Sequence, residues 1–128
     1  MTSQQRKDFL SYQQGELDAV LMYKNFAEMT DDPILKEAFL EAAKDEGKHA
    51  NILSQFTRRK LRPDPTLANI TKKAFKILPK RLILLGISFG EYQGGNGYAP
   101  YADIPEIKGI IDDEYRHGDT FKALSKKV

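Results

Sequence analysis

The segment DEGKH at residues 45–49 decides the fold prediction, because its pattern returns as DDEYRH at residues 112–117. In each segment a Glu stands three residues before a His, and these are the only two histidines of the chain. Residues three apart lie on the same face of a helix. Glu46 with His49, and Glu114 with His117, can therefore each present a carboxylate and an imidazole on one side of a helix.

Apolar residues recur at steps of three and four around both segments, which indicates long amphipathic helices. Four long helices are predicted over residues 4–29, 33–58, 79–93 and 104–126, and a short helix over residues 66–78. No stretch alternates polar and apolar residues as a half-buried strand would, so we predict an all-α protein. The long connection between the second and third long helices favours a four-helix bundle with one crossover, and 128 residues fit a single domain over residues 1–128.

Local signals set the expected helix ends and burial. Asp32 before Pro33 is a typical helix start, and Asp103 with Glu106 resembles a capping box. The run LILLGISF at residues 82–89 is apolar on nearly every side. We therefore expect the third long helix to be heavily buried. This apolar helix is also the reason for predicting a homodimer.

Two further glutamates complete a repeated pattern. Glu16 and Glu91 each follow a Gly, and each precedes a Tyr by seven residues, at Tyr23 and Tyr98. The chain thus resembles two copies of one helical hairpin, each with a Glu and then a Glu-x-x-His. In the first hairpin both glutamates lie about 22 Å from the turn, and in the second about 17 Å. These depths allow all four glutamates to meet in the middle of a crossover bundle.

Four carboxylates and two imidazoles that converge in a bundle core predict a dinuclear metal site. Buried carboxylates without cations repel one another, and two divalent ions remove that cost. Asp45 and Asp113, one turn before each His, are predicted to accept the free imidazole N–H. Tyr23 and Tyr98 either hydrogen-bond a ligating carboxylate or pack in the core. The alternative for all these groups is the ordinary one, in which charged residues lie solvated on helix surfaces.

Composition excludes several classes of protein. The chain has no cysteine, which rules out disulfides and thiolate metal sites in these residues. The N-terminal segment lacks the apolar core of a signal peptide, and the apolar stretch at 82–90 is about half of what a bilayer requires. A soluble, cytoplasmic protein is the expectation.

Charge is unevenly distributed along the chain. Residues 58–81 carry nine Lys or Arg and one Asp, whereas eleven basic and seventeen acidic residues lie elsewhere. A basic segment can attract phosphate or an anionic membrane. A solvated connection is the preferred interpretation and membrane contact the less favoured one. Nucleic acid is not expected as a partner, because the segment lacks the series of aromatic residues on which bases stack.

The sequence resembles the rubrerythrin branch of the ferritin-like superfamily over nearly its whole length. The resemblance lies in QQGELDAVLMY (13–23), AAKDEGKHANIL (42–53), FGEYQGGNGY (89–98) and IPEIKGIIDDEYRHG (104–118). It implies a ferritin-like bundle with a non-haem di-iron centre that reacts with hydrogen peroxide or dioxygen. The implied ligands are Glu16, Glu46, His49, Glu91, Glu114 and His117, with Glu46 and Glu114 as bridges. The sequence is also similar to ferritin-like domains attached to membrane iron transporters.

Two departures from the family pattern affect the expected function. Rubrerythrins usually carry a rubredoxin domain, which a segment without cysteine cannot form, so electrons would come from a separate donor protein. A second glutamate one turn from Glu91 is also missing, since Ser88 and Gly94 occupy those positions. The leading hypothesis is a di-iron peroxide reductase. The alternatives are a ferroxidase or iron-handling module, acting with a membrane iron transporter, and a structural bundle. Carboxylate and imidazole ligands would also suit manganese or zinc.

Overall fold

The computed structural model describes residues 1–128 as an all-helical protein without strands. Its helices are α1 (Ser3–Met29), α2 (Pro33–Thr57), α3 (Thr66–Ile77), α4 (Lys80–Gly97) and α5 (Pro105–Ser125), with a 3-10 turn at Ala99–Tyr101. The all-α prediction is confirmed, and the helix content is consistent with a ferritin-like bundle. The chain divides into two compact units, Met1–Lys73 and Ala74–Val128. The single domain over residues 1–128 stays a prediction.

The first unit contains the antiparallel hairpin of α1 and α2. Asp32 ends the three-residue link as predicted, because its carboxylate accepts hydrogen bonds from the backbone N–H groups of Ile34 (2.9 Å) and Leu35 (3.3 Å). These bonds satisfy donors that the first turn of a helix leaves without partners. Aromatic rings pack between the helices on both sides of the hairpin centre, in the pairs Phe9–Phe56 and Phe26–Phe39, each with centroids 5.4 Å apart.

A buried glutamine fixes the point where the chain leaves this hairpin. Arg58 ends α2 in the left-handed conformation, with φ 55°. Behind it, the Gln13 side chain donates to the carbonyl oxygen of Arg59 (2.8 Å) and accepts from the hydroxyl of Thr57 (2.7 Å). Gln13 and Thr57 are both fully buried. The Gln13 amide therefore gives a hydrogen-bond partner to the Thr57 hydroxyl, which water cannot reach.

Replacing Gln13 with Ala should lower the free energy of unfolding by about 2 kcal/mol or more. The reason is that the Thr57 hydroxyl would lose its acceptor in a dry site, and the Arg59 carbonyl would lose the amide donor. Urea denaturation measures the change. The matched control is Gln14→Ala, which removes an exposed hydrogen bond to Arg62 (2.8 Å) and a partly buried one to Asp18 (2.9 Å) and should cost less than about 1 kcal/mol. Equal losses in both variants would contradict the role given to burial.

The second unit contains the antiparallel hairpin of α4 and α5, and its helix ends differ from the prediction. α5 begins at Pro105, its N-cap is Ile104 with φ −83° and ψ 120°, and no side chain caps it. The predicted capping box of Asp103 and Glu106 is therefore wrong, because a proline at the first position holds the preceding residue extended. α4 continues four residues past the predicted end, through Gly97, even though this stretch contains three glycines.

The burial predicted for the third long helix is only half right. Ile83, Leu84 and Ile87 of α4 are buried, whereas Leu82, Leu85 and Phe89 are exposed. With 3.6 residues per turn, the exposed three fall on the side of α4 opposite the buried three. A run that is apolar all round does not by itself show which side of the helix is covered.

α4 and α5 pack closely at two glycines, Gly118 and Gly95, each of which leaves room for a tyrosine ring of the other helix. We call these two contacts the glycine notches. A Cβ on Gly118 would lie 2.6 Å from the ring of Tyr92, and a Cβ on Gly95 would lie 2.5 Å from the ring of Tyr115. Each helix thus places a tyrosine ring over a glycine of the other helix. Next to the first notch, the Ser88 hydroxyl donates to the carbonyl of Gly118 at 2.7 Å. A slide of one helix along the other would break both ring contacts and this hydrogen bond.

The segment that precedes α3 is tied to α1, and its aspartate caps α3. The Asp64 N–H donates to the Asp18 carboxylate (2.7 Å), and the Asp64 carboxylate accepts from the N–H (2.9 Å) and hydroxyl (2.7 Å) of Thr66. The short helix predicted at 66–78 begins at Thr66, next to this cap.

No helix of the structure is both long and apolar enough to span a bilayer.

The Asp64 cap should make the structure sensitive to acid. The hydrogen bonds from the Thr66 hydroxyl and then from its N–H hold the pKa of Asp64 below its ordinary value of 3.8. A lowered pKa in the folded state gives stability that is present above pH 3.8 and is lost as the pH falls through the folded-state pKa. Asp64→Ala should therefore lower the thermal midpoint at about pH 7, and this difference should vanish once the pH has fallen below the folded-state pKa of Asp64. Asp103→Ala is the control, and a difference that persisted in acid would contradict the mechanism.

Candidate metal centre

The first unit brings Glu16 of α1 together with Glu46 and His49 of α2. The Nδ1 atom of His49 lies 3.3 Å from Oε2 of Glu16 and 3.2 Å from Oε1 of Glu46. Ligand atoms of all three residues lie within 4.8 Å of one another. We call these three residues the first triad. None of the three is more than 5% exposed, so their polar atoms converge at a dry point in the hairpin.

Local structure explains how the first triad forms. Glu46 and His49 are one turn apart on α2, and both side chains are on the buried face that also carries Leu53. Glu16 reaches them because α1 runs antiparallel to α2, with aromatic pairs on either side holding the hairpin register. The predicted match in depth between Glu16 and Glu46 is therefore observed.

The second unit repeats the arrangement with Glu91 of α4 and Glu114 and His117 of α5. The Nδ1 atom of His117 lies 3.5 Å from Oε1 of Glu91, and ligand atoms of the three residues lie within 4.8 Å of one another. All three are buried. We call them the second triad. In both triads the imidazole nitrogen that faces a carboxylate is Nδ1, so the two hairpins have matching geometry at this point.

Glu91 keeps its position despite the glycines that follow it, because α4 remains helical through Gly97. The two positions one turn from Glu91 have other contacts. Ser88 donates to the backbone of α5, and a Cβ on Gly94 would lie 3.3 Å from Oε2 of Glu114. Gly94 therefore leaves room for the Glu114 carboxylate, and neither position supplies an additional anionic ligand.

The chemistry of each triad fits a metal ion. Two carboxylates and one imidazole are ligands that iron, manganese and zinc all accept, and three ligands leave coordination positions open. Carboxylates buried beside each other are costly without a positive charge nearby. A divalent ion supplies that charge at the point where the side chains converge. The assignment of the six residues as ligands stays a prediction.

The residues predicted to support the ligands have mixed surroundings. Tyr23 is fully buried, and its ring packs against Phe26 and Phe39 with centroids 6.5 and 6.4 Å away. Asp113 pairs with Arg116 at 3.1 Å. Tyr98 is buried at the end of α4, and Asp45 is half-buried. Core packing is thus established for Tyr23, while hydrogen bonds from these residues to the ligands stay predictions.

Comparison with known families agrees with this site. A protein-family model described as Rubrerythrin matches residues 9–85, which is more than half of the chain. The chain belongs to the rubrerythrin family. The match includes the whole first triad and ends before Glu91, so the second triad is supported by the repeated sequence and by the structure. No match was found among curated proteins or among solved structures.

Membership of the rubrerythrin family, together with the buried carboxylates and imidazoles, is compatible with a di-iron protein. Sequence reasoning missed several residues that hold the two hairpins together, namely Gln13, Ser88, Tyr92, Gly95, Tyr115 and Gly118. Gln13 could have been suspected as a polar residue on the apolar face of its helix. The glycine notches could not have been found in this way, because Tyr92 and Gly118 are 26 residues apart and form no local sequence pattern.

Proposed function

We propose that the two triads combine in one dinuclear iron centre, and that the protein reduces hydrogen peroxide with electrons from a separate donor. The observation that carries the proposal is the repeated buried triad. Each helical hairpin contributes two carboxylates and one imidazole, with Nδ1 turned toward a carboxylate in both. One Glu from each of two helices and a Glu-x-x-His from each of the others is the ligand set of di-iron carboxylate bundles.

Each residue has a definite part in the proposed centre. His49 and His117 would each supply one nitrogen to one of the two metal ions, and Glu16 and Glu91 would each supply one carboxylate. Glu46 and Glu114 would be shared by the two ions, as the resemblance to rubrerythrins implies. Bound ferrous ions would supply the two electrons that peroxide reduction requires. Burial of the side chains keeps bulk water away from the ligands and so strengthens their hold on a cation.

Electrons have to enter from outside these residues. Residues 1–128 contain no cysteine to hold a rubredoxin-type iron, so these residues cannot provide that relay. A redox protein that docks transiently would restore the reduced state after each turnover. Because Ser88 and Gly94 carry no carboxylate, Glu91 is the only anionic ligand that α4 offers to the proposed centre.

Anaerobic loading with ferrous iron tests the proposal. We expect about two irons per chain and faster oxidation by stoichiometric peroxide than by air-saturated buffer in stopped-flow absorbance. Oxidation by dioxygen at an equal or higher rate, with release of ferric iron, would favour the iron-handling function instead. Less than one metal per chain would overturn both functions and leave a structural bundle.

A further inference from the structure

The short helix α3 has an apolar row that this chain does not cover. Leu67, Ile70 and Ile77 recur at steps of three and seven and are 40%, 61% and 79% exposed. The side of α3 that faces the protein is a different one, where Ala68 is buried and Phe75 is half-buried. Large aliphatic side chains exposed in a row on one helix indicate a binding surface.

The remaining side of α3 is strongly basic. Lys72, Lys73 and Lys76 are all exposed there, and Lys73 borders the apolar row on the helical wheel. No ion pair of the structure involves any of the nine Lys and Arg residues between 58 and 81. The cations of this segment therefore remain available to an anionic partner.

We propose that α3 docks on the surface of an anionic lipid bilayer. The exposed row of Leu67, Ile70 and Ile77 would enter the boundary between headgroups and acyl chains, and the lysines would reach the lipid phosphates. A helix with an apolar face and a Lys-rich polar face is typical of proteins that lie in the plane of the membrane interface. The lysines of such a helix are attracted by the negative potential of anionic lipids.

Charge favours the bilayer over a second copy of the chain. Residues 58–81 carry nine basic residues and one acidic residue, whereas the remainder of the chain has an acidic excess. Two copies that met through α3 would bring two sets of unpaired lysines together. An anionic bilayer neutralises the same lysines and leaves the acidic remainder in solvent. The inference does not depend on a metal, so it can fail or succeed independently of the proposed peroxide chemistry.

Vesicle co-sedimentation of the full chain tests the docking. The probes are vesicles of phosphatidylcholine alone and of phosphatidylcholine with phosphatidylglycerol. We expect binding to the anionic vesicles at about 0.1 M salt, at least tenfold weaker binding to the neutral ones, and release at about 1 M salt, where the Debye length is only about 3 Å.

Two variants with matched controls connect the binding to α3. Ile70→Asn/Ile77→Asn removes apolar contact, and its control, Ile34→Asn/Leu40→Asn, changes two exposed aliphatic residues of α2. Lys72→Gln/Lys73→Gln/Lys76→Gln removes three charges, and its control, Lys36→Gln/Lys44→Gln/Lys48→Gln, removes three exposed charges from α2. Each α3 variant should bind anionic vesicles at least tenfold more weakly, and each control should stay within about twofold of the parent. Circular dichroism confirms that every variant is folded.

Three results would overturn the proposal. One is the absence of binding to anionic vesicles at about 0.1 M salt. Another is an equal loss of binding in the α3 variants and their α2 controls, which would indicate a general charge effect. The third is a change from dimer to monomer in Ile70→Asn/Ile77→Asn, measured by sedimentation velocity, without any lipid binding by the parent. That result would assign the apolar row to a second copy of the chain.

Discussion

Replacement of Glu46 by Gln should abolish tight iron loading and at the same time stabilise the metal-free protein. The variant keeps the shape of the side chain and removes one negative charge from a buried site. Glu16 and Glu46 offer carboxylate oxygens within 4.8 Å of each other, at 5% exposure or less. Without a metal ion these like charges repel one another in a poorly solvated site. Their repulsion is lost in Glu46→Gln, which should gain about 1 kcal/mol in free energy of unfolding.

In the presence of ferrous iron, Glu46→Gln should have the opposite effect and leave the protein less stable than the parent. A ligand that binds only the folded state raises its stability in proportion to the logarithm of ligand excess, so iron should raise the thermal midpoint of the parent. In Glu46→Gln that rise should disappear, and iron content should fall from about two per chain to one or less. Calorimetry and metal analysis on the same anaerobic samples give both quantities.

Glu41→Gln is the matched control for this prediction. Glu41 lies on the same helix but is exposed, so its replacement should change neither the iron content nor the metal-free stability by a measurable amount. A Glu46→Gln variant that bound iron like the parent would exclude Glu46 as a ligand. One that lost iron and also unfolded more easily would show that the carboxylate mainly supports the fold.

The substitution Gly118→Ala should destabilise the second hairpin by about 3 kcal/mol, the largest loss that we expect from a single added methyl group. The new Cβ would lie 2.6 Å from the ring of Tyr92, and two further ring atoms would lie 2.8 Å away. Real Cβ atoms do not approach rings this closely, so the tyrosine or the α5 backbone has to move. A movement of Tyr92 would also break the hydrogen bond that its hydroxyl donates to the Asp119 carboxylate. Chemical denaturation followed by circular dichroism measures the loss.

Gly109→Ala gives the comparison within the same helix. A Cβ on Gly109 would meet nothing within 4 Å, so alanine should stabilise α5 there by about 0.5–1 kcal/mol through its higher helix propensity. The two substitutions are chemically identical and should differ in sign. The double variant Tyr92→Ala/Gly118→Ala should recover part of the loss, since neighbouring residues couple. A Gly118→Ala variant as stable as the parent would mean that the notch does not set the register.

The sequence predicted the helices well where the signals were local. Asp32 followed by Pro33 marked the start of α2, because the aspartate cap and the proline at the first helical position act on neighbouring backbone atoms. The same kind of reasoning failed at Asp103 and Glu106, where α5 begins at Pro105, one residue later than predicted, and has Ile104 as its N-cap. Burial of α4 was also overpredicted, because no sequence signal shows which side of an apolar helix has a partner.

The candidate site was predictable in parts. Glu46 with His49, and Glu114 with His117, follow from helix spacing alone, and the structure brings each pair together with the Glu of its own hairpin. The packing that holds these residues was not predictable. Tyr92 over Gly118 depends on which residues face each other across two helices, and hydrophobic periodicity carries no information about that pairing.

The local nature of each hairpin has a consequence for how the protein folds. Glu16 and His49 are only 33 residues apart in sequence, and a three-residue link joins their helices. Contacts between residues this close in sequence form early, since the entropic cost of closing the loop is small. The carboxylates of the first triad should therefore meet before any ion has bound. The apolar packing of Phe9, Phe26 and Phe39 then has to hold two acidic side chains together during folding.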